Sequence, residues 1–152
     1  MELKTYDPAM ERDIEPFFIE CFNVYFMTFN VLGHERDMAS IPDSYQKGGQ
    51  FWCLYDEGKL IGTVAVRTID ESSKTAEIKR LYVSPSRQGE GLGKKLFEVA
   101  LNFAKDSGFK KVCADTRLDR KASQHLMRSH GFAEVPRYND NYHAELFFAL
   151  DL

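Results

Sequence analysis

The chain has 152 residues, of which 43% are hydrophobic and 28% are charged, and its formal net charge at pH 7 is −3. These values are typical of a globular protein, and we expect residues 1–152 to form a single domain. The acidic balance provides no basic field for nucleic acid, and no stretch reaches the roughly eighteen apolar residues of a membrane span.

The three cysteines, Cys21, Cys53 and Cys113, are far apart and have no metal-binding spacing. Their odd number and their separation favour free thiols in a reducing compartment over a zinc site or a disulfide framework. The N-terminal residues show no basic stretch followed by an apolar run, so we expect no signal peptide. The sequence therefore predicts a cytoplasmic protein without a bound metal.

The sequence pattern of the first half of the chain predicts a strand, an aromatic helix and an antiparallel meander. Strand patterns lie at residues 3–6, 51–55, 60–69 and 76–83. Asp13 is the expected N-cap of the first helix, and aromatic residues continue at helical spacing as far as Phe29. This aromatic face favours core packing, and part of it is also a candidate wall of a substrate pocket.

The second half alternates helices with strands. Helical patterns lie at residues 94–107 and 120–130, and strand patterns at residues 110–115, 132–135 and 144–150. A strand that returns through a helix to another strand indicates a crossover. Together with the meander, this order predicts an α/β fold with one mixed, mostly antiparallel sheet and helices on both faces.

A loop with glycines at alternate positions, Gly89, Gly91 and Gly93, lies between the fourth strand and the next helix. Such a loop at a helix N-terminus favours phosphate, because the helix dipole and its unpaired N–H groups attract anions. The P-loop pattern fails, since Lys95 stands where a serine or threonine would bind magnesium, and the G-x-G-x-x-G spacing fails as well. The pattern that fits is Q-x-x-G-x-G, which begins at Gln88.

The segment R-L-Y-V-S-P-S-R-Q-G-E-G-L-G-K-K-L, residues 80–96, resembles the acetyl-CoA signature of the GNAT family of N-acetyltransferases. Residues 51–66 resemble the central hairpin of that family, and S-H-G-F at 129–132 resembles the end of its last helix. The resemblance implies a GNAT-like acyl-CoA N-acyltransferase fold. It also implies an enzyme that moves an acetyl group from acetyl-CoA directly to an amine of a small molecule or a peptide.

The resemblance further implies which residues bind the cofactor. Backbone N–H groups of the loop would hold the pyrophosphate, and the preceding strand would pair with the pantetheine arm, while the N–H of Leu81 polarises the thioester carbonyl. The expected cofactor-binding residues are Leu81, Tyr82, Val83, Gln88, Gly89, Glu90, Gly91, Leu92, Gly93 and Lys94, with Arg120 and Ser123 as further candidates.

Glu77 is the candidate general base, because it precedes Leu81 by four residues, as does the catalytic glutamate of histone-type family members. Strand alternation is expected to place Glu77, Lys79, Leu81 and Val83 on one face. A general base is useful because the attacking amine must be neutral. The alternative is that Glu77 is a salt-bridged structural residue of the strand.

The tyrosine that serves as general acid in many family members is replaced here by Met127. Water or another group, among them Tyr82, Tyr138 and Tyr142, would then protonate the departing thiolate. The same departure motivates a second interpretation, a non-catalytic acyl-CoA-binding or regulatory module. The resemblance is also compatible with a homodimer that pairs through the closing strands.

Overall fold

The computed structural model describes all 152 residues, which form one seven-stranded sheet with helices on both faces. The strands are β1 (Glu2–Thr5), β2 (Gln50–Asp56), β3 (Lys59–Asp70), β4 (Thr75–Val83), β5 (Lys111–Thr116), β6 (Ala133–Val135) and β7 (Leu146–Asp151). The helices are α1 (Glu11–Asn23), α2 (Ile41–Tyr45), α3 (Leu92–Asp106) and α4 (Lys121–Ser129). None of them combines the length and apolar character that a membrane span requires.

The strand order is β1-β2-β3-β4-β5-β7-β6. The pair β4–β5 is parallel, and every other neighbouring pair is antiparallel. Between β4 and β5 the chain passes through α3, which is the crossover that a parallel pair requires. The predicted mixed, mostly antiparallel sheet is therefore confirmed.

Two apolar clusters cover the two faces of the sheet. On one face α3 presents the buried positions of its amphipathic stripe, namely Leu92, Leu96, Phe97, Ala100, Leu101 and Ala104. The other face is covered by α1 and α2, whose buried rings include Phe18, Phe22 and Tyr45. A Cβ at Gly62 in β3 would lie 2.8 Å from Leu96 Cδ1, so the missing side chain lets α3 pack closely on the sheet.

The first helix begins and ends earlier than the sequence indicated. Asp7 accepts a hydrogen bond from Ala9 N at 2.8 Å and caps a short 3-10 turn, so Asp13 lies inside α1 and the predicted N-cap is wrong. The helix ends at Asn23, and the chain returns so that Phe29 stacks on Phe18 with ring centroids 5.2 Å apart. Phe29 therefore packs against the core although it lies beyond the end of the helix.

A β-bulge at Arg80, where φ is 55°, interrupts β4. The register with β3 shifts here, so that Arg80 and Leu81 together oppose a single β3 residue. The bulge reverses the alternation of side chains: Leu81 and Val83 pack on the α3 face, whereas Glu77 and Lys79 point to the opposite face. The expectation that these four side chains share one face is wrong.

Candidate active site

Strands β4 and β5 pair only at their first residues and then separate. The parallel register runs from Thr75 opposite Lys111 to Glu77 opposite Cys113 and stops there. From that point β4 stays with β3, and β5 stays with β7. The gap belongs to a cavity of about 1040 Å³, a volume at the upper end of the range for small-molecule and cofactor sites.

The glycine loop forms one wall of this cavity. The backbone N–H groups of residues 88–94 donate no hydrogen bond within the chain, and the first bond at the start of α3 runs from Lys95 N to Gly91 O at 3.2 Å. Gly89 and Gly91 have φ values of 84° and 78°, a conformation that residues with a Cβ rarely adopt. Such a row of unpaired donors at a helix N-terminus is an anion-binding arrangement.

The structure brings most of the predicted cofactor-binding residues together around this one cavity. Those that line it are Leu81, Tyr82, Val83, Gln88, Gly89, Gly91, Leu92, Gly93, Lys94, Arg120 and Ser123. Glu90 lies outside it and pairs with Arg87 at 2.8 Å, which lowers the pKa of the Glu90 carboxyl. Arg87 also contacts Asp56 at 2.9 Å and so ties the loop to the β2–β3 hairpin.

Glu77 also lies outside the cavity, fully buried between β4 and the segment before β7. One carboxylate oxygen accepts from Arg67 Nε at 2.9 Å, and the other accepts from Tyr138 Oη at 2.6 Å and Asn139 Nδ2 at 3.0 Å. A carboxylate with both oxygens engaged and no exposure cannot reach an amine in the cavity without rearrangement. Its role as general base stays a prediction, and the geometry favours the salt-bridged alternative.

Met127 is 5% exposed and belongs to the apolar cluster beside α3, while also touching the cavity. Tyr138 lies outside the cavity, and burial together with the Glu77 carboxylate raises its pKa. Tyr82 and Tyr142 do line the cavity. Of the three tyrosines that the sequence offered as proton donors, two therefore lie at the cavity.

The cavity wall beyond α1 contains a histidine pair that the sequence did not indicate. The ring of His34 packs against His143 with centroids 4.1 Å apart and against Tyr142 at 4.8 Å. Burial, reinforced by His143, lowers the pKa of His34, so its imidazole is neutral at neutral pH. The sequence offered no signal because His34 lies in a polar loop far along the chain from residues 142–143.

The cations that form the sheet side of this wall are neutralised by acids. Arg80 Nε contacts Asp37 Oδ2 at 2.9 Å, and Tyr45 also donates to Asp37. Burial alone would raise the pKa of Asp37, but Arg80 and Tyr45 hold it below the ordinary value. Lys79 pairs with Asp115 at 3.3 Å.

Comparison with curated proteins identifies relatives over the central part of the chain. Mouse N-acetyltransferase 8 is 36% identical over 104 residues, which cover 65% of this chain and 46% of the relative. The chain thus spans about half the length of the curated relatives it matches.

Solved structures share the whole fold. A GNAT-family acetyltransferase of Staphylococcus aureus superposes with a TM-score of 0.88 at 18% identity, covering 99% of this chain and 98% of that one. YncA of Salmonella typhimurium, solved with its cofactor acetyl-CoA, gives a TM-score of 0.75 at 20% identity, with 99% and 93% coverage. The model of the acetyltransferase (GNAT) family matches residues 9–132. Family match, fold and glycine-loop cavity agree, and the chain belongs to the GNAT family of acetyltransferases.

Proposed function

We propose that the chain is an N-acetyltransferase that takes the acetyl group of acetyl-CoA and transfers it directly to an amine. The observation that carries this proposal is the continuity of two features in one cavity. The unpaired N–H groups of residues 88–94 suit a pyrophosphate, and the gap where β4 leaves β5 suits a narrow pantetheine arm. Acetyl-CoA supplies an acetyl thioester, whose carbonyl carbon is open to attack by an amine.

Backbone groups carry most of the binding in this proposal. The N–H groups from Gln88 to Lys94 bind the pyrophosphate, and the edge of β4 from Leu81 to Val83 pairs with the pantetheine amides. The bulge at Arg80 gives Leu81 no partner residue of its own in β3, which supports a role for the Leu81 N–H as donor to the thioester carbonyl oxygen. A donor fixed in the sheet stabilises the developing negative charge without reorganisation.

The reaction forms a carbon–nitrogen bond, breaks a carbon–sulfur bond and moves one proton from nitrogen to sulfur overall. The acceptor nitrogen bonds to the acetyl carbonyl carbon, the carbon–sulfur bond breaks, the nitrogen loses a proton, and the sulfur leaves and takes one up. His34 lines the cavity and is kept neutral by burial and by His143, so it is our candidate to receive the first proton, with Glu77 as the alternative. Tyr82, Tyr142 or water returns a proton to the sulfur.

The proposal includes residues 1–152 as one N-acetyltransferase domain that acts in the cytoplasm on a small-molecule or peptide amine, without nucleic acid. One sheet extending from β1 to β7 supports the single domain. Three free, buried cysteines support a reducing compartment. A homodimer through the closing strands stays a prediction.

A thiol-release assay tests the proposal. The protein is mixed with acetyl-CoA and a panel of amines, free CoA thiol is followed over time, and CoA binding is measured separately by calorimetry. Thiol release that depends on both the protein and an amine is the expected result. CoA binding without turnover on any amine would favour a non-catalytic acyl-CoA-binding module, and absence of CoA binding would refute both functions.

A further inference from the structure

Arg120 differs from the other arginines of the chain that are partly shielded from solvent. Each of the others contacts a carboxylate at 2.5–2.8 Å: Arg67 with Glu77, Arg80 with Asp37, Arg87 with Glu90 and Arg117 with Asp119. Arg120 has no carboxylate within 4 Å, and its Nε atom is buried without a hydrogen-bond partner. A half-buried cation without a counter-ion lacks the pairing that such groups ordinarily have.

Aromatic rings hold the guanidinium of Arg120 in place. Its central carbon lies 3.7 Å from the centroid of the Tyr25 ring and 5.4 Å from that of the Tyr82 ring. A terminal nitrogen also makes a weak contact with Met27 Sδ at 3.9 Å. Stacking against rings orients the guanidinium plane without engaging its N–H groups, and a guanidinium edge matches the two oxygens of a carboxylate.

The position of Arg120 decides which carboxylate it can meet. Arg120 lines the cavity beside Tyr82, which directly follows Leu81, whose amide we assign to the thioester carbonyl. Its other contacts, Tyr25 and Met27, belong to the segment that follows α1. None of these three contacts belongs to residues 88–94, so an anion bound to Arg120 would lie beside the edge of β4 that we assign to the pantetheine arm and the thioester.

We propose that Arg120 binds the carboxylate of the acceptor, and that the acceptor is a free α-amino acid. In an α-amino acid a single carbon separates the carboxylate from the amine, so binding of the carboxylate at Arg120, next to the Tyr82 ring, would hold the nitrogen on the side of β4 that we assign to the thioester. Phe22 and Met27 on the same wall fit an apolar side chain. This inference rests on the proposed acetyltransferase function and specifies its substrate class.

The test compares amino acids with their amides, for example leucine with leucinamide and phenylalanine with phenylalaninamide. Each member of a pair is titrated by calorimetry into the full chain saturated with CoA, and the KM values for the acceptor and for acetyl-CoA are measured. The wild type should prefer the acid, and Arg120→Gln should weaken binding of the acid by about 10- to 100-fold, the range for a lost charge-assisted pair. Binding of the amide and the KM for acetyl-CoA should not change.

Arg117→Gln is the matched control, because it removes a charge from the same wall that Asp119 already neutralises at 2.8 Å. Arg117→Gln should preserve the preference for the amino acid over its amide. Arg120→Lys should lower that preference, because lysine keeps the charge but lacks the planar guanidinium. Equal wild-type affinity for acid and amide, with CoA binding intact, would refute the inference and leave the acetyltransferase function standing. A higher KM for acetyl-CoA in Arg120→Gln would assign Arg120 to the cofactor and refute the inference too.

Discussion

Replacing Gly91 by alanine should weaken CoA binding far more than it weakens the fold. Gly91 has φ 78° and no atom within 4 Å of the position that a Cβ would take, so alanine meets strain but no clash in the protein itself. The strain of a left-handed alanine is about 1 kcal/mol, which lowers the Tm of a domain of this size by roughly 3 °C. In the proposed complex, however, the space beside Gly91 belongs to the pyrophosphate.

The chain offers a matched control in Gly108, which follows the other end of α3. Gly108 has φ 83° and likewise no atom within 4 Å of a Cβ, so Gly108→Ala should cost the same stability. Only Gly91→Ala should lose CoA affinity, by about tenfold or more if one charge-assisted N–H contact to phosphate is lost. Thermal unfolding measures the first quantity and calorimetry with CoA the second.

Pantetheine lacks the pyrophosphate, so its binding affinity measures the rest of the site without the contribution of the phosphate cradle. Gly91→Ala should leave its binding unchanged. If Gly91→Ala binds CoA as tightly as the wild type, or if Gly108→Ala loses the same affinity, the assignment of residues 88–94 as the phosphate cradle is refuted.

Three further predictions concern the ionisable groups Glu77, Cys21 and His34. Glu77→Gln should reduce the free energy of unfolding by about 3 kcal/mol in urea titrations, because it breaks a buried ion pair, whereas Glu134→Gln, at an exposed pair, should cost under about 0.5 kcal/mol. Burial raises the pKa of Cys21 to about 12, so only about one Cys21 thiol in ten thousand is ionised near pH 8. Because the thiolate is the reactive form, mass spectrometry should find that iodoacetamide alkylates Cys21 slowly. Because the pKa of His34 is lowered in the folded chain, the imidazole binds a proton more readily when the chain is unfolded. The free energy of unfolding should therefore fall as pH drops below about 6.5, the ordinary pKa of histidine. The His34→Asn variant should lose less stability than the wild type over the same pH range.

Each of these expectations has a result that contradicts it. A Glu77→Gln protein of wild-type stability whose pH–rate profile loses its acidic limb, the fall in rate at low pH, would restore Glu77 as the general base. Rapid alkylation of Cys21 in the folded protein would contradict its burial. A His34→Asn variant that loses stability with falling pH as steeply as the wild type would show that His34 does not contribute to acid sensitivity.

The shape of the glycine loop and its place in the cavity could be predicted from the sequence because their signal is local. Gln88, Gly91 and Gly93 lie in one short loop between a strand and a helix, and backbone geometry there depends on glycines that are visible in the sequence. The element order likewise predicts the mixed sheet, since a crossover and a meander each leave a continuous pattern.

The opposite wall of the cavity depends on contacts between residues far apart in the chain. The bulge in β4 has no glycine or proline to indicate it, and Arg80 pairs there with Asp37, 43 positions away. Glu77 is enclosed by Tyr138, 61 positions away, so its position on the strand alone could not show whether it faces solvent. Arg120 next to Tyr25 is likewise a tertiary contact that no spacing predicts.

The central claim is that the chain transfers acetyl from acetyl-CoA to an amine, and the most direct measurement follows both products in one reaction. Mass spectrometry should identify the acetylated amine in a screen of acceptors while a thiol reagent measures released CoA. We predict one acetylated amine for each CoA thiol released. Thiol release without acetylated amine would indicate thioester hydrolysis, and no release with any acceptor would contradict the proposed transfer.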